Sequence, residues 1–143
     1  MIYLDTSFLV PLFINEAASD RVEKHVRNLA AGSLCVSHWT RLEFAGVLAR
    51  DVRTGMLDKA AAGRVVERFE VYLAASFDVL APRIEDYELA YRYVLQFPAA
   101  LRGGDALHLA IAANAKVKSL LTLDRGMLKA GKLLKLPVSR GIR

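Results

Sequence analysis

The chain has 143 residues, of which 54% are hydrophobic, and a formal net charge of +5. This length predicts a single domain over residues 1–143, without room for a second one. The single cysteine, Cys35, excludes an intramolecular disulfide and lacks the spacing of a zinc site. No apolar segment is long enough to cross a bilayer, which leads us to expect a cytoplasmic protein.

The first half of the chain is predicted to contain two strands and four helices from its apolar pattern. In chain order these are strand Ile2–Leu4, a short helix Phe8–Ile14, helix Ala17–Ala31, strand Leu34–Val36, a helix from Ser37 to about Arg53 and a helix from Asp58 to about Ala75. Pro11 lacks a backbone donor, so the helix around it is expected to be distorted. Thr6 or Ser7 is suited to cap that helix, and Ser37 to cap the helix that it begins.

The second half continues the alternation of strands and helices. In chain order these are strand Phe77–Leu80, a helix from Pro82 to about Phe97, a helix from Asp105 to about Lys116, strand Ser119–Leu123, a short helix Arg125–Ala130 and strand Leu136–Val138. The stretch from Arg125 to Arg143 carries six basic residues and no acid. This stretch could guide a polyanion such as RNA, or it could be a solvated basic tail.

Short strands that alternate with helices are typical of an open sheet covered by helices on both faces. The sequence therefore predicts a three-layer α/β/α sandwich with a mostly parallel central sheet of four to five strands. In such folds, ligands bind beyond the carboxyl ends of the strands, where the strand order reverses. Asp5 and Asp124 each follow a predicted strand directly and are expected at this place.

Some acidic residues lie in or beside apolar runs, where an ionised carboxylate costs several kcal/mol unless a cation or hydrogen-bond donors compensate it. These residues are Asp5, Glu43, Asp105 and Asp124. A bound divalent metal is the simplest explanation that all four share. Ligands that are all oxygen atoms favour Mg²⁺ or Mn²⁺ over zinc.

Each of these acids also has an ordinary structural explanation. Asp5 and Asp105 could cap the helices that begin beside them, and Asp124 could start a turn. Glu43 could form an ion pair with Arg50 on the same side of its helix. The other eleven acids have polar neighbours and are expected to be solvated.

The three histidines are dispersed along the sequence, and none is predicted to be a metal ligand. His108 lies one turn beyond Asp105 and could face the same site. A histidine that packs between helices or lies on the surface is the more common case, and this is the interpretation we adopt.

The acids occur in four short motifs that follow one another over nearly the whole chain. The motifs are Ile2-Tyr3-Leu4-Asp5-Thr6-Ser7, Arg41-Leu42-Glu43-Phe44, Arg102-Gly103-Gly104-Asp105-Ala106-Leu107-His108-Leu109-Ala110 and Leu121-Thr122-Leu123-Asp124. In this order they resemble the PIN-domain ribonucleases, and within that family the VapC-like toxins of bacterial and archaeal toxin–antitoxin pairs.

The resemblance implies a metal-dependent endoribonuclease that hydrolyses RNA by metal-activated water and leaves a 5′-phosphate and a 3′-hydroxyl. Its catalytic metal site would consist of Asp5, Glu43, Asp105 and Asp124, with Thr6 or Ser7 and Thr122 as neighbouring hydroxyls. We expect Asp5 and Asp105 to be the closest ligands, and the other two acids to bind Mg²⁺ or Mn²⁺ directly or through water.

The resemblance also implies a cognate antitoxin protein and a second copy of the chain as partners. The apolar segments Phe8–Ile14 and Val65–Leu73 are candidates for docking either partner, although they could equally fill the core. The basic residues expected to contact RNA are Arg50, Arg125, Lys129 and Lys132.

Two other functions stay open at this point. A PIN-like module without catalysis would hold RNA or a protein through the basic C-terminal stretch. A phosphatase of the haloacid dehalogenase type also places an aspartate after its first strand, but it needs a second aspartate two positions on, where this chain has Ser7.

Overall fold

The computed structural model describes residues 1–143, which contain a five-stranded sheet. Its strands are β1 (Ile2–Leu4), β2 (Leu34–Ser37), β3 (Asp78–Leu80), β4 (Ser119–Leu121) and β5 (Val138–Ser139). The strand order is β3-β2-β1-β4-β5, and all four pairings are parallel. Ile2 of the central strand pairs with Leu34 on one side and with Ser119 on the other. The predicted parallel sheet is therefore confirmed.

Seven α-helices connect the strands. They are α1 (Thr6–Leu9), α2 (Ser19–Arg27), α3 (His38–Arg53), α4 (Lys59–Ser76), α5 (Ile84–Val94), α6 (Gly103–Asn114) and α7 (Arg125–Leu133). Two short 3₁₀ helices lie at Val10–Leu12 and Phe97–Ala99. The first of them contains Pro11, which has no amide hydrogen and so favours the predicted distortion of this segment. None of the helices combines the length and the apolar character needed to cross a membrane.

The sheet separates two hydrophobic cores, because successive side chains of a strand point to opposite faces. Leu4, Val36 and Leu121 pack with α1, α2, α3 and α4 on one face. Tyr3 and Leu120 pack with α5, α6 and α7 on the other face. Helices thus cover both faces, and the predicted three-layer sandwich is confirmed.

The strand order reverses between β1 and β4. From β1 the chain proceeds to β2 and β3 on one side of the sheet, and it then crosses to β4 and β5 on the other side. The loops that leave the carboxyl ends of β1 and β4 consequently diverge, and a crevice opens between them. Asp5 begins one of these loops, and Thr122 begins the other.

Several predicted boundaries differ from the observed ones. Strand β4 ends at Leu121, two residues earlier than expected, and the amide of Leu123 donates to Ser7 Oγ at 2.8 Å. Helix α2 covers only Ser19–Arg27 of the predicted range 17–31. Helix α5 begins at Ile84 instead of Pro82, because Asp86 accepts a hydrogen bond from the amide of Arg83 at 2.8 Å and caps the helix there.

The prediction that every acid outside the four is solvated was wrong for Asp86. Its side chain is 2% exposed and also accepts a hydrogen bond from Asn114 Nδ2 at 2.7 Å. Asn114 is the last residue of α6, so this contact joins the start of one helix to the end of its neighbour.

Candidate active site

A cleft of about 710 Å³ lies at the carboxyl ends of β1 and β4. All four predicted acids line it. The other polar residues of the lining are Thr6, Ser7, Glu16, Arg50 and His108. Five carboxylates and one guanidinium group therefore face the same space, which makes the cleft strongly acidic in the absence of a bound cation.

Asp5 lies at the base of the cleft and is 3% exposed. Its Oδ1 accepts from the amide of Phe8 at 2.9 Å, so Asp5 caps α1 in the place expected for Thr6 or Ser7. Its Oδ2 accepts from Thr122 Oγ1 at 2.6 Å, and Ser7 Oγ donates to Oδ1 at 2.9 Å. Burial raises the pKa of Asp5, although the nearby His108 and these hydrogen bonds act in the opposite direction.

Glu43 projects from α3 and has a side chain that is 29% exposed. Its Oε2 accepts from Thr6 Oγ1 at 2.5 Å and lies 2.6 Å from His108 Nε2. Burial by itself would raise the pKa of Glu43, but the hydrogen bond and charge of His108, together with Thr6, outweigh it and lower the pKa. The alternative ion pair with Arg50 does not form, because Arg50 contacts Asp51 at 3.0 Å.

Asp105 is half-buried and lies in the first turn of α6, two residues beyond Gly103. The alternative explanation, that Asp105 caps this helix, was wrong, because Arg102 occupies the N-cap position. The Asp105 carboxylate accepts none of the side-chain or backbone hydrogen bonds found in the cleft. Its pKa is raised, first by burial and then by the negative charge of Asp124, with smaller contributions from the other two acids.

Asp124 is exposed at the rim and caps α7. Its Oδ1 accepts from the amide of Met127 at 2.7 Å, while its own amide donates to Thr122 Oγ1 at 3.0 Å. Asp124 is therefore a helix cap and not the start of a simple turn, and this role leaves its second carboxylate oxygen without a protein donor.

The three predicted hydroxyls all contact the acids. Thr6 donates to Glu43, while Thr122 and Ser7 donate to Asp5. Ser7 Oγ and Thr122 Oγ1 also lie 3.1 Å apart, so these two hydroxyls connect the loops after β1 and β4. The hydroxyls hold the carboxylates in place.

Of the predicted RNA-contacting residues, only Arg50 lines the cleft. The side chain of Arg50 is 59% exposed, and it lies two helical turns beyond Glu43 on α3. Arg125, Lys129 and Lys132 are exposed on α7 and do not contribute to the lining of the cleft.

Sequence reasoning missed two features of the site. His108 was treated as a packing histidine, yet its 1% exposed ring contacts Glu43 directly. Its position one turn after Asp105 was the available signal. Gly104 appeared in the third motif without a role of its own, yet a Cβ atom at this position would lie 3.0 Å from the ring of Trp39 and 3.1 Å from Glu43 Oε1. Glycine thus allows α3 and α6 to approach closely beside the acids.

The donor chemistry of the cleft fits a hard divalent cation. All four acids offer oxygen ligands, and none of them forms an ion pair with lysine or arginine. The side chains do not, however, form a preformed cluster of three or more groups that could hold a metal ion. Carboxylate movement or bridging water is therefore required for them to share one ion.

The family model described as the PIN domain matches residues 2–133 of this sequence. The chain belongs to the PIN-domain family. This membership confirms the resemblance inferred from the four motifs. No curated protein matches the sequence.

Solved structures of other PIN-like proteins share the fold. VapC20 from Mycobacterium tuberculosis, described as a toxin that cleaves the sarcin–ricin loop, is 16% identical with a TM-score of 0.73, over 92% of this chain and 95% of its own. A toxin–antitoxin complex from Klebsiella pneumoniae has 17% identity and a TM-score of 0.70, over 100% and 99% of the two chains. A protein from Pyrobaculum aerophilum has 28% identity and a TM-score of 0.63, over 90% of this chain and 78% of its own.

Proposed function

We propose that this PIN domain is a Mg²⁺- or Mn²⁺-dependent endoribonuclease and the toxin of a type II toxin–antitoxin pair, acting in the cytoplasm as one domain. The observation that carries the proposal is Asp105, a carboxylate without hydrogen-bond donors that faces three other acids in one cleft. VapC20 and the Klebsiella pneumoniae complex, both similar in fold, are described as a cleaving toxin and a toxin–antitoxin complex, which supports the assignment.

In this mechanism Asp5 and Asp105 would hold the cation most closely, and Glu43 and Asp124 would bind it directly or through water and orient the attacking water molecule. A bound cation would supply positive charge at the phosphate and lower the pKa of that water. The water oxygen would form a bond to phosphorus while the bond between phosphorus and O3′ breaks. The proton that the water loses would pass to solvent, and O3′ would take up a proton from solvent. The products are a 5′-phosphate and a 3′-hydroxyl, as the family resemblance implies.

Arg50 is suited to contact the substrate, since it is the one guanidinium group among the carboxylates of the cleft. A phosphodiester that approaches these acids needs a cation of the protein as well as the metal, and arginine binds phosphate oxygens in bidentate fashion. The exposed cations of α7, Arg125, Lys129 and Lys132, would contact RNA phosphates outside the cleft.

The antitoxin would occupy the groove between α3 and α4. This groove has a volume of about 340 Å³ and is lined by apolar residues that include Leu42, Val66 and Phe69. Leu42 is 63% exposed and Val66 42%, so apolar surface is available to a partner. The other predicted docking segment, Phe8–Ile14, mostly fills the core, where Phe8 and Phe13 are buried.

A second copy of the chain would pack on the outer face of α5. Large side chains at helical spacing are exposed there: Ile84 75%, Tyr87 55%, Tyr91 67% and Leu95 48%. We call these four residues the α5 stripe. In an antiparallel, two-fold packing of two stripes, Glu88 of one copy would face Arg92 of the other, so the charges beside the stripe are self-complementary.

The test is a cleavage assay of the purified protein on a broad panel of RNAs, with and without Mg²⁺ or Mn²⁺. We expect metal-dependent cleavage that EDTA abolishes, and a loss of about 100-fold or more in Asp5→Asn and Asp105→Asn. Glu85→Gln, an exposed acid on α5, serves as the matched control and should cleave normally. Undiminished cleavage by both aspartate variants would refute the metal site.

A binding module without catalysis is the second candidate, because the side chains do not form a preformed metal cluster. This candidate predicts RNA binding that does not depend on metal, and no cleavage of any RNA in the panel. The phosphatase alternative lacks its second aspartate, since Ser7 instead donates to Asp5. Hydrolysis of an aryl phosphate by the purified protein would support the phosphatase function instead.

A further inference from the structure

A chain of buried hydrogen bonds leads from the first strand to Glu43. The hydroxyl of Tyr3 lies 2.8 Å from His108 Nδ1, and His108 Nε2 lies 2.6 Å from Glu43 Oε2. Tyr3 is 0% exposed and His108 1%, so water does not compete for these groups. The chain joins β1, α6 and α3, and Tyr3 and His108 stand 105 residues apart in the sequence.

The same tyrosine hydroxyl also meets the beginning of α3. It lies 2.7 Å from Ser37 Oγ and 3.0 Å from Thr40 Oγ1. Ser37 and Thr40 form the capping box of α3, and both are 0% exposed. The helix that carries Glu43 is therefore held at its first turn and again at Glu43 by one buried network.

The direction of each hydrogen bond follows from the groups at the two ends. An ionised Glu43 can only accept, which requires the hydrogen of the imidazole on Nε2. In neutral histidine, Nδ1 then accepts from the Tyr3 hydroxyl. The Tyr3 oxygen has two lone pairs left, which suit the hydroxyl hydrogens of Ser37 and Thr40. The hydrogen bonds among all five side chains, those of Tyr3, Ser37, Thr40, Glu43 and His108, are compatible with this one arrangement.

We propose that His108 is a positioning residue for Glu43, and that Tyr3 fixes the imidazole tautomer that makes this possible. A group that orients a metal-binding side chain in this manner acts on metal affinity without contacting the ion itself. A histidine that only filled space between helices would not need a hydrogen-bond donor opposite Nδ1 and a hydrogen-bond acceptor opposite Nε2, yet His108 has both. The positioning role rests on the proposed function, because that function makes Glu43 a metal-binding residue. The tautomer of His108 does not depend on it.

The tautomer is tested by nitrogen NMR of the full chain labelled with ¹⁵N at histidine, at a pH well above the ordinary pKa of histidine. We expect a single species of His108 with hydrogen on Nε2 and a hydrogen-bonded, unprotonated Nδ1. Tyr3→Phe should shift the Nδ1 signal, while the signals of His25 and His38 stay in place. Hydrogen on Nδ1, or no response to Tyr3→Phe, would overturn the proposal.

The positioning role is tested by Mn²⁺ affinity, measured by titration with the metal alone. His108→Leu should weaken Mn²⁺ binding by about 10- to 100-fold. His108→Gln, whose amide supplies a donor near the place of Nε2–H, should restore most of the affinity. If His108 only fills space, Leu should serve at least as well as Gln, and that result contradicts the proposal.

A double-mutant cycle separates an action through Glu43 from a general loosening of the fold. Tyr3→Phe should weaken Mn²⁺ binding in the presence of Glu43, and it should have almost no effect in the Glu43→Gln background. Additive effects in the cycle would show that Tyr3 does not act on metal binding through Glu43. If the native protein binds no Mn²⁺, the proposed function fails, and the NMR result alone decides whether Tyr3 fixes the tautomer of His108 or the two residues merely pack together.

Discussion

Asp105 and Asp5 lie in the same cleft, but their carboxylates have opposite surroundings. Three side-chain and backbone donors, from Ser7, Phe8 and Thr122, point at Asp5. Asp105 accepts none of them, and its pKa is raised by burial and by the neighbouring acids. Burial raises the pKa of Asp5 as well, but its three donors offset part of the cost of that burial, whereas Asp105 has no such donor and depends on an added cation.

The raised pKa of Asp105 predicts how the stability of the metal-free protein depends on pH. A raised pKa means that folded Asp105 binds a proton more readily than the unfolded chain, whose pKa is near the ordinary value of 3.8. The stabilising contribution of protonated Asp105 is complete below that value, and it is lost as the pH rises through the folded pKa. Above that range the charged Asp105 destabilises the fold.

Asp105→Asn should therefore raise the free energy of unfolding at neutral pH by about 0.5–1 kcal/mol without metal, since the side chain is only half-buried. Urea denaturation at several pH values measures this, with the exposed Glu67→Gln as control. Mn²⁺ should stabilise the native protein but not the variant. A variant that is less stable than the native chain at every pH contradicts this account.

At the scale of elements, the contact between α5 and α6 depends on a buried acid. Asp86 caps α5 through the amide of Arg83 and accepts from Asn114 at the end of α6. Removal of its carboxylate would leave two donors, the Arg83 amide and Asn114 Nδ2, without their acceptor at a buried position. The two helices cover the face of the sheet on which Tyr3 lies, and α6 itself carries Asp105 and His108, so their pairing helps to hold these site residues in place.

Asp86→Ala should lower the free energy of unfolding by about 2–3 kcal/mol, from the lost cap and the unpaired amide of Asn114. The matched control is Glu85→Ala, which alters an exposed acid in the same helical turn and should have little effect. Urea denaturation followed by circular dichroism measures both variants. Equal stability of the two variants would show that the buried hydrogen bonds contribute nothing.

At the scale of the whole molecule, the α5 stripe leaves a row of large side chains unpartnered. Monomeric proteins rarely expose contiguous apolar surface of this kind, whereas surfaces that pair with another copy commonly do. The high hydrophobic content of the chain, 54%, is consistent with such a surface. The proposed homodimer would bury the stripe and align Glu88 of each copy with Arg92 of the other.

Light scattering after size exclusion should give the mass of a dimer for the native chain and of a monomer for Tyr91→Glu. Val71→Glu, an equally exposed position on α4 that is 71% accessible, is the control and should remain dimeric. Glu88→Arg and Arg92→Glu should each weaken the dimer, and the double variant should restore it. A native monomer at high concentration, or a dimer unaffected by Tyr91→Glu, would contradict the proposed interface.

The sequence by itself determined the parallel sheet, the three layers and the place of Asp5 directly after its strand, but not that of Asp124, which lies three residues beyond the end of β4. These features follow from local periodicity and from the rule that parallel strands present their carboxyl ends at one edge. The apolar surroundings singled out the two acids on α3 and α6, Glu43 and Asp105, and the family motifs supported that choice. Local pattern was sufficient because each of these features is encoded by residues that are close in the chain.

Only the tertiary structure decided which polar groups are partners. The contacts of His108 with Tyr3, and of Asp86 with Asn114, join residues 105 and 28 positions apart. Neither contact has a signature in spacing, because burial and hydrogen bonding of a polar side chain depend on how distant elements pack. The same reason explains why the sequence left a helix cap open as an alternative role for Asp105, and only the packing shows that its carboxylate faces the cleft without a donor.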